Sequence, residues 1–121
     1  MAKLSAHGTP FATVLAAGGI VAFFPDGVTL RRTPERPWKV FRRLKPGYSL
    51  AEWRAKKENG LRELQAKEPW RFGHKSIPSM RTLEAWLRDD GTCETPSGDT
   101  VEPDGTGPDG APSWLRYFSL I

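Results

Sequence analysis

Cysteine is nearly absent from this sequence: Cys93 is the only one among 121 residues, which excludes a disulfide within the chain. A single cysteine is typical of proteins in a reducing compartment. Long apolar runs are also absent, since none approaches the roughly 18 to 20 residues that a transmembrane helix needs. The stretch MAKLSAHGT lacks the apolar core of a secretion signal. We therefore expect a soluble protein of the cytoplasm with no membrane partner.

Motifs of enzymes and metal sites are missing as well. His7 and His74 are far apart and have no cysteine or carboxylate at ligand spacing. No serine lies in a G-x-S-x-G context, and neither a Walker loop nor a G-x-G-x-x-G sequence is present. The acids between Asp99 and Asp109 do not follow the pattern of a calcium loop. We therefore expect a protein that is not an enzyme and holds no metal and no cofactor.

The residues that are present suffice for one modest core. Hydrophobic residues make up 38% of the chain and include five Trp, six Phe and two Tyr. A chain of this length forms about one domain, and its 12 Gly and 11 Pro imply many turns and short elements. The sequence predicts a single α+β domain. It would comprise a β-meander over 1–47, two helices over 48–90, and an acidic, turn-rich segment with a short C-terminal helix over 91–121.

Four runs rich in β-branched and aromatic residues predict a small antiparallel sheet of three to four strands. The runs are Phe11–Ala16, Ile20–Phe24, Val28–Arg32 and Trp38–Leu44. Pro25-Asp26-Gly27 predicts a tight hairpin between the second and third runs, and Gly18-Gly19 predicts an earlier turn. Alternation along the fourth run places Trp38, Val40 and Arg42 on one face and Lys39, Phe41 and Arg43 on the other.

Helix signals follow the predicted sheet. Ser49 and Glu52 have the spacing of a capping box and predict a helix over Leu50–Lys67. Its interior Gly60 costs about 1 kcal/mol relative to alanine and suggests a bend. A second helix is predicted with Pro78 in its first turn and its end at Gly91. The final PSWLRYFSLI predicts a short helix that packs Trp114, Leu115, Phe118 and Ile121 on the core.

The net charge of +4 is distributed unevenly along the chain. Residues 1–88 hold 17 Lys and Arg against 7 Asp and Glu, whereas residues 89–121 hold 1 against 7. Basic residues are densest between positions 31 and 57, where the only acids are Glu35 and Glu52. A surface that neutralises phosphates gains affinity by releasing counterions, and arginine adds bidentate contacts. The candidate binding residues are Arg31, Arg32, Arg36, Lys39, Arg42, Arg43, Lys45, Arg54, Lys56 and Lys57.

This basic segment favours a nucleic acid or a nucleoprotein complex as the partner. The aromatics between its charges, which can stack on exposed bases, are Trp38, Phe41, Tyr48 and Trp53. Two alternatives compete with this interpretation. Either the aromatics are core and the charges a solvated face, or the partner is a protein that contacts exposed aromatics such as Trp38, Trp70 and Phe72. The acidic end of the chain would weaken the field if it folded over the basic segment.

Two stretches of the sequence resemble known proteins. The opening KLSAHGT, followed by FPDGVTLRR, WKVFRRLKPG and a helix with EW, resembles the start of small uncharacterised proteins of tailed phages and integrated bacterial elements. Near the other end, Cys93-Glu94, Gly98, the run VEPDGT from Val101 and the run PSWL from Pro112 resemble a C-terminal module of similar proteins. That module carries cysteines and a histidine at zinc spacing, whereas this chain holds Asp99, Gly107 and Asp109 at the matching positions.

The resemblance implies an accessory protein of a phage or mobile element that acts inside the host cell. Such a protein would bind nucleic acid or a host nucleoprotein complex, including a defence complex that it inhibits. The alternative partner is a host or phage protein, contacted without any nucleic acid. The lost ligand positions imply that the module holds no metal in this chain.

Overall fold

Four antiparallel strands in chain order form the N-terminal sheet of the computed structural model, which describes residues 4–89 and 91–121. They are β1 (Ala12–Ala16), β2 (Gly19–Phe23), β3 (Val28–Thr33) and β4 (Arg36–Arg43). The helix α1 (Leu50–Lys67) and the helix α2 (Met80–Asp89) follow, joined through a 3-10 turn at Pro69–Arg71. A small hairpin of β5 (Cys93–Glu94) and β6 (Thr100–Val101) then precedes the short helix α3 (Trp114–Tyr117). The predicted α+β fold is confirmed.

Both predicted turns between the first three strands are present, and one is displaced by a residue. At Pro25-Asp26-Gly27 the glycine has φ +89°, and the Asp26 carboxylate accepts a hydrogen bond from the Val28 N–H at 3.0 Å. The earlier turn is made by Ala17 and Gly18, whose φ angles are +53° and +72°. Gly19 already belongs to β2, where a β-carbon would lie 2.1 Å from the carbonyl oxygen of Arg32.

The sheet has a core face and an outward face, because successive residues of a strand point to opposite sides. Leu15 and Ile20 pair across β1 and β2 on the core face, and both are fully buried. They join one apolar cluster with Leu83, Trp114 and Leu115, so the segment after α1 packs on this side. A second cluster on the same face contains Ala22, Phe24, Val28 and Leu30. The outward face carries Val21, Thr29 and Arg31.

A β-bulge in β4 overturns the expected alternation of its side chains. Val40 pairs with Leu30 and Arg42 pairs with Thr29, so Phe41 is an extra residue in the ladder. Trp38 and Val40 contact the core as predicted. Arg42, however, lies on the outward face with Thr29 rather than on the face of Val40. Arg43, which pairs with Val28, also departs from the face predicted for it. The predictions for Arg42 and Arg43 were wrong because a strict period of two does not survive an inserted residue.

The predicted bounds of α1 are confirmed, and its N-cap is Ser49, whose hydroxyl accepts from the Glu52 N–H at 3.2 Å. The helix continues through Gly60, although none of its residues is buried. The start of α2 differs from the prediction, because Ser79 caps the helix through the Thr82 N–H and Pro78 precedes this cap.

The C-terminal helix α3 is anchored largely as predicted. Trp114 and Leu115 are buried, and the Trp114 and Phe118 rings stack with centroids 5.6 Å apart. Ile121 was predicted to pack on the core and does not, since it is 54% exposed. Leu120 packs against the core instead, because its N–H donates to the Leu115 carbonyl at 2.8 Å and turns the chain inward.

Candidate nucleic-acid interface

A groove of about 560 Å³ separates the outward face of the sheet from the first turns of α1. Its floor is formed by sheet residues that include Val21 and Thr29, which are 2% and 5% exposed. Helix α1 stands over one end of the floor, where the Trp53 ring meets the Phe11 ring edge-on at 5.9 Å. No residue of α1 is buried, so the helix packs only loosely against the sheet.

The walls of this groove carry five of the ten predicted binding residues. Arg42 and Arg43 come from the end of β4, Lys45 comes from the following loop, and Lys56 and Lys57 come from α1. None of the groove-lining residues, all within the described chain, is acidic. Residues that are far apart in the predicted elements therefore converge on one cationic cleft, which we call the basic groove.

Phe41 positions two arginines at the edge of the basic groove. The guanidinium carbon of Arg31 lies 4.5 Å from the centre of the Phe41 ring, and that of Arg42 lies 5.2 Å from it. Both distances are those of cation–π contacts. Arg31 also donates to the Ala17 carbonyl at 3.1 Å, which ties it to the turn between β1 and β2. The bulge at Phe41 thus turns Arg42 toward the groove and holds it there.

Three more predicted residues, Arg31, Arg36 and Lys39, extend the basic groove along β3 and β4. Lys39 pairs with Arg31 on the outward face, and Arg36 lies at the hairpin between β3 and β4. Together with Phe41 they line a smaller hollow of about 100 Å³. Because Phe41 lines both depressions, the cationic surface continues from the groove to the hairpin.

The remaining two predicted residues are placed differently. Arg32 pairs with Ile20, which assigns it to the core face, and it borders Trp38 at the hairpin rather than the groove. Arg54 lies on α1 but donates to Glu58 at 2.8 Å, so its charge is partly neutralised. Its guanidinium carbon lies 4.8 Å from the centre of the Phe11 ring. Adjacent arginines in the sequence thus reach opposite sides of the sheet.

The acidic end of the chain does not cover the basic groove. Cys93, Ala111, Trp114 and Leu115 belong to the cluster on the core face, the side opposite the groove floor. Within the described ranges the ion pairs join Arg54 to Glu58 and Arg71 to Glu68, and His7 forms a hydrogen bond with Asp26. None of them links the basic segment to residues 91–121, so no ion pair of the described chain neutralises the groove cations from the acidic segment.

The aromatic residues fall into core and groove groups. Trp70 is buried and Trp38 packs against both core clusters, while Phe72 is half-buried and bridges β1 through Val14. The expectation of an exposed aromatic was wrong for Trp70, which is buried, while Trp38 and Phe72 are only partly exposed. Tyr48 is the exception: it is 66% exposed and lines the basic groove.

Sequence reasoning missed the floor of the groove. Val21 and Thr29 lie in runs predicted as strands, but the strand sequences alone do not indicate that a groove borders their face. A signal was available in α1, whose apolar positions are separated by Lys57 and Glu58. This weak apolar stripe is typical of a helix that is only partly packed.

The C-terminal loop is closed by hydrogen bonds. Around Gly107, a β-carbon would lie 3.2 Å from an oxygen of Asp99 and 3.4 Å from one of Asp109, so the three positions that match metal ligands in the resembling module are neighbours. The hydrogen bond from Ser97 and the one from the Ala111 N–H lower the pKa of Asp109. The Ser113 hydroxyl donates to the Pro103 carbonyl and caps α3.

Among residues 4–89 and 91–121 there is no group of three His, Cys, Asp or Glu side chains arranged to hold a metal ion. Over the same ranges, no helix has the length and apolarity to cross a membrane. Comparison with protein-family models, curated proteins and solved structures finds no match to this chain.

Proposed function

We propose that this protein is a non-enzymatic nucleic-acid-binding protein and that the basic groove is its binding site. The observation that supports the proposal is the convergence of five cations on a cleft with no acidic lining residue, on the side away from the acidic segment. The cationic side chains there would displace the counterions condensed on a nucleic acid, and the release of those counterions is a main source of affinity.

The choice of arginine and lysine in the groove fits such a ligand. Arg42 and Arg43 provide forked donors that match phosphate oxygens, and Lys45, Lys56 and Lys57 add mobile point charges. The resemblance to proteins of phages and integrated elements suggests the source of the nucleic acid. It would belong to the host, or to a host nucleoprotein complex that the protein inhibits.

The proposal is tested by fluorescence anisotropy with labelled oligonucleotides, using the variant Arg42→Glu/Lys56→Glu and a matched control. The control, Lys75→Glu/Arg81→Glu, reverses two exposed charges outside the groove and changes the net charge equally. The groove variant should lose affinity and reduce the slope of log K against log salt by between about 1 and 2, as expected for two lost phosphate contacts. The control should keep the wild-type slope.

Equal losses in both variants would show that net charge alone causes the binding and would contradict a groove. An absence of binding at low salt would remove the proposal entirely. A third outcome is a stoichiometric complex with a protein that survives nuclease and high salt and is formed through these groove residues. That outcome would show that the partner is a protein and not a nucleic acid.

A further inference from the structure

The floor of the basic groove is apolar, which phosphate binding alone does not require. The partly exposed Ala16 and Phe23 line it together with the buried Val21, and the charged side chains stand on its walls. The volume of about 560 Å³ falls within the range of roughly 300–1,000 Å³ that holds small organic ligands. A ligand that fills the groove therefore presents both anionic groups and flat apolar surface.

One aromatic ring is available to such a ligand. The Phe41 ring is already contacted by two guanidinium groups, and the Phe23 and Trp53 rings both pack against Phe11. The Tyr48 ring takes part in none of the aromatic or cation–π contacts found in the described chain, and it is 66% exposed at the mouth of the groove. An exposed aromatic ring beside a cationic groove is the arrangement with which proteins stack the bases of single strands.

A duplex does not match this arrangement. Its bases are paired inside the helix, so a duplex offers phosphates to the walls and nothing to the apolar floor or to Tyr48. A single strand carries its phosphates along one line and leaves its bases unpaired. Phosphates can then contact Arg42 and Lys56 while a base enters between them.

We infer that the basic groove binds single-stranded nucleic acid, with at least one base held on its apolar floor against Tyr48. This inference rests on the proposed function and specifies its ligand. It places the phosphates on the groove walls and makes base contact, not charge alone, responsible for part of the affinity.

The test compares three probes of equal length by fluorescence anisotropy: oligothymidylate, an abasic strand with the same phosphates, and a duplex. Oligothymidylate should bind at least about tenfold more tightly than the abasic strand, the lower part of the range expected for one stacked base. Tyr48→Ala should lower the affinity for oligothymidylate to nearly that for the abasic strand. Tyr48→Phe should keep the difference in affinity between the two strands. Far-UV circular dichroism checks that the variants are folded.

Equal affinity for oligothymidylate and the abasic strand, or tighter binding of the duplex, would overturn the inference while the proposed function stands. A Tyr48→Ala variant with the full wild-type preference for bases would also overturn it. If none of the three probes binds at low salt, both the inference and the proposed function fail.

Discussion

Tyr117 connects the C-terminal helix to the sheet through one hydrogen bond. Its hydroxyl donates to the Gly19 carbonyl at 2.8 Å, which links α3 to the first residue of β2. Burial raises the pKa of Tyr117 to about 12, despite the opposing charge of Arg71. The phenol is thus held neutral in the folded protein, at a position where ionisation would break the contact with the sheet.

This burial predicts an alkaline loss of stability. In the unfolded chain a tyrosine has a pKa of about 10, whereas burial raises the pKa of folded Tyr117 to about 12. Tyr117 therefore makes its full contribution to the free energy of unfolding below about pH 10. This contribution is lost as the pH rises through the pKa of Tyr117 in the folded protein. Denaturant unfolding at several alkaline pH values, with the tyrosinate absorbance followed in parallel, measures it.

Tyr117→Phe isolates this contribution. It removes the hydrogen bond to Gly19, which should cost about 1 kcal/mol at neutral pH, and it should flatten the decline in stability above about pH 10. Tyr48→Phe is the matched control, because that ring is exposed and should leave the decline in place. A decline that is the same in both variants would mean that Tyr117 is not its source.

At the scale of elements, the predictions that succeeded depended on local signals in the sequence. The bounds of α1 follow from Ser49 at its cap and Pro69 just beyond its end, both of which act within a few residues. The hairpin at Asp26 and Gly27 is equally local. Such features depend on backbone geometry that neighbouring residues determine.

The bulge at Phe41 depends on a different strand and could not be predicted. It arises because β4 must pair with Thr29 and Leu30 in β3, a constraint that the sequence of β4 does not contain. The same limit applies to the candidate site. The sequence predicted all five groove cations as binding residues, but it also predicted Arg32. Arg32 lies on the opposite face of the sheet from Arg31, and the charge pattern does not distinguish the two faces.

Two glycines with opposite environments test the register of the sheet and the packing of α1. A β-carbon on Gly19 would lie 2.1 Å from the backbone oxygen of Arg32, and a backbone atom cannot move aside easily. Gly19→Ala should therefore lower the free energy of unfolding by about 3 kcal/mol or more. A β-carbon on Gly60 would have no neighbouring atom within 4 Å, so Gly60→Ala should stabilise the protein by about 1 kcal/mol.

Thermal and urea unfolding followed by circular dichroism measures both changes. A Gly19→Ala protein as stable as the wild type would contradict the close pairing of β2 with β3. A destabilised Gly60→Ala protein would show that the exposed side of α1 contacts something in the folded chain.

At the scale of the whole molecule, the two charge groups lie on opposite sides of the sheet. The acidic segment folds onto the core face through Trp114 and Leu115, while the outward face and α1 carry the basic groove. Since opposite charges attract, an open groove requires that the acidic segment be held elsewhere. The apolar anchor and the hydrogen bonds around Ser113 provide that restraint.

The most direct measurement of the central claim is the titration of isotope-labelled protein with a short single strand at low salt, followed by amide chemical shifts. We expect the largest changes at Arg42, Lys45, Tyr48 and Lys56, with the amides of the loop between Cys93 and Ser113 unaffected. Changes centred on that loop, or no change anywhere at concentrations that saturate low-salt binding, would contradict a nucleic-acid site in the basic groove.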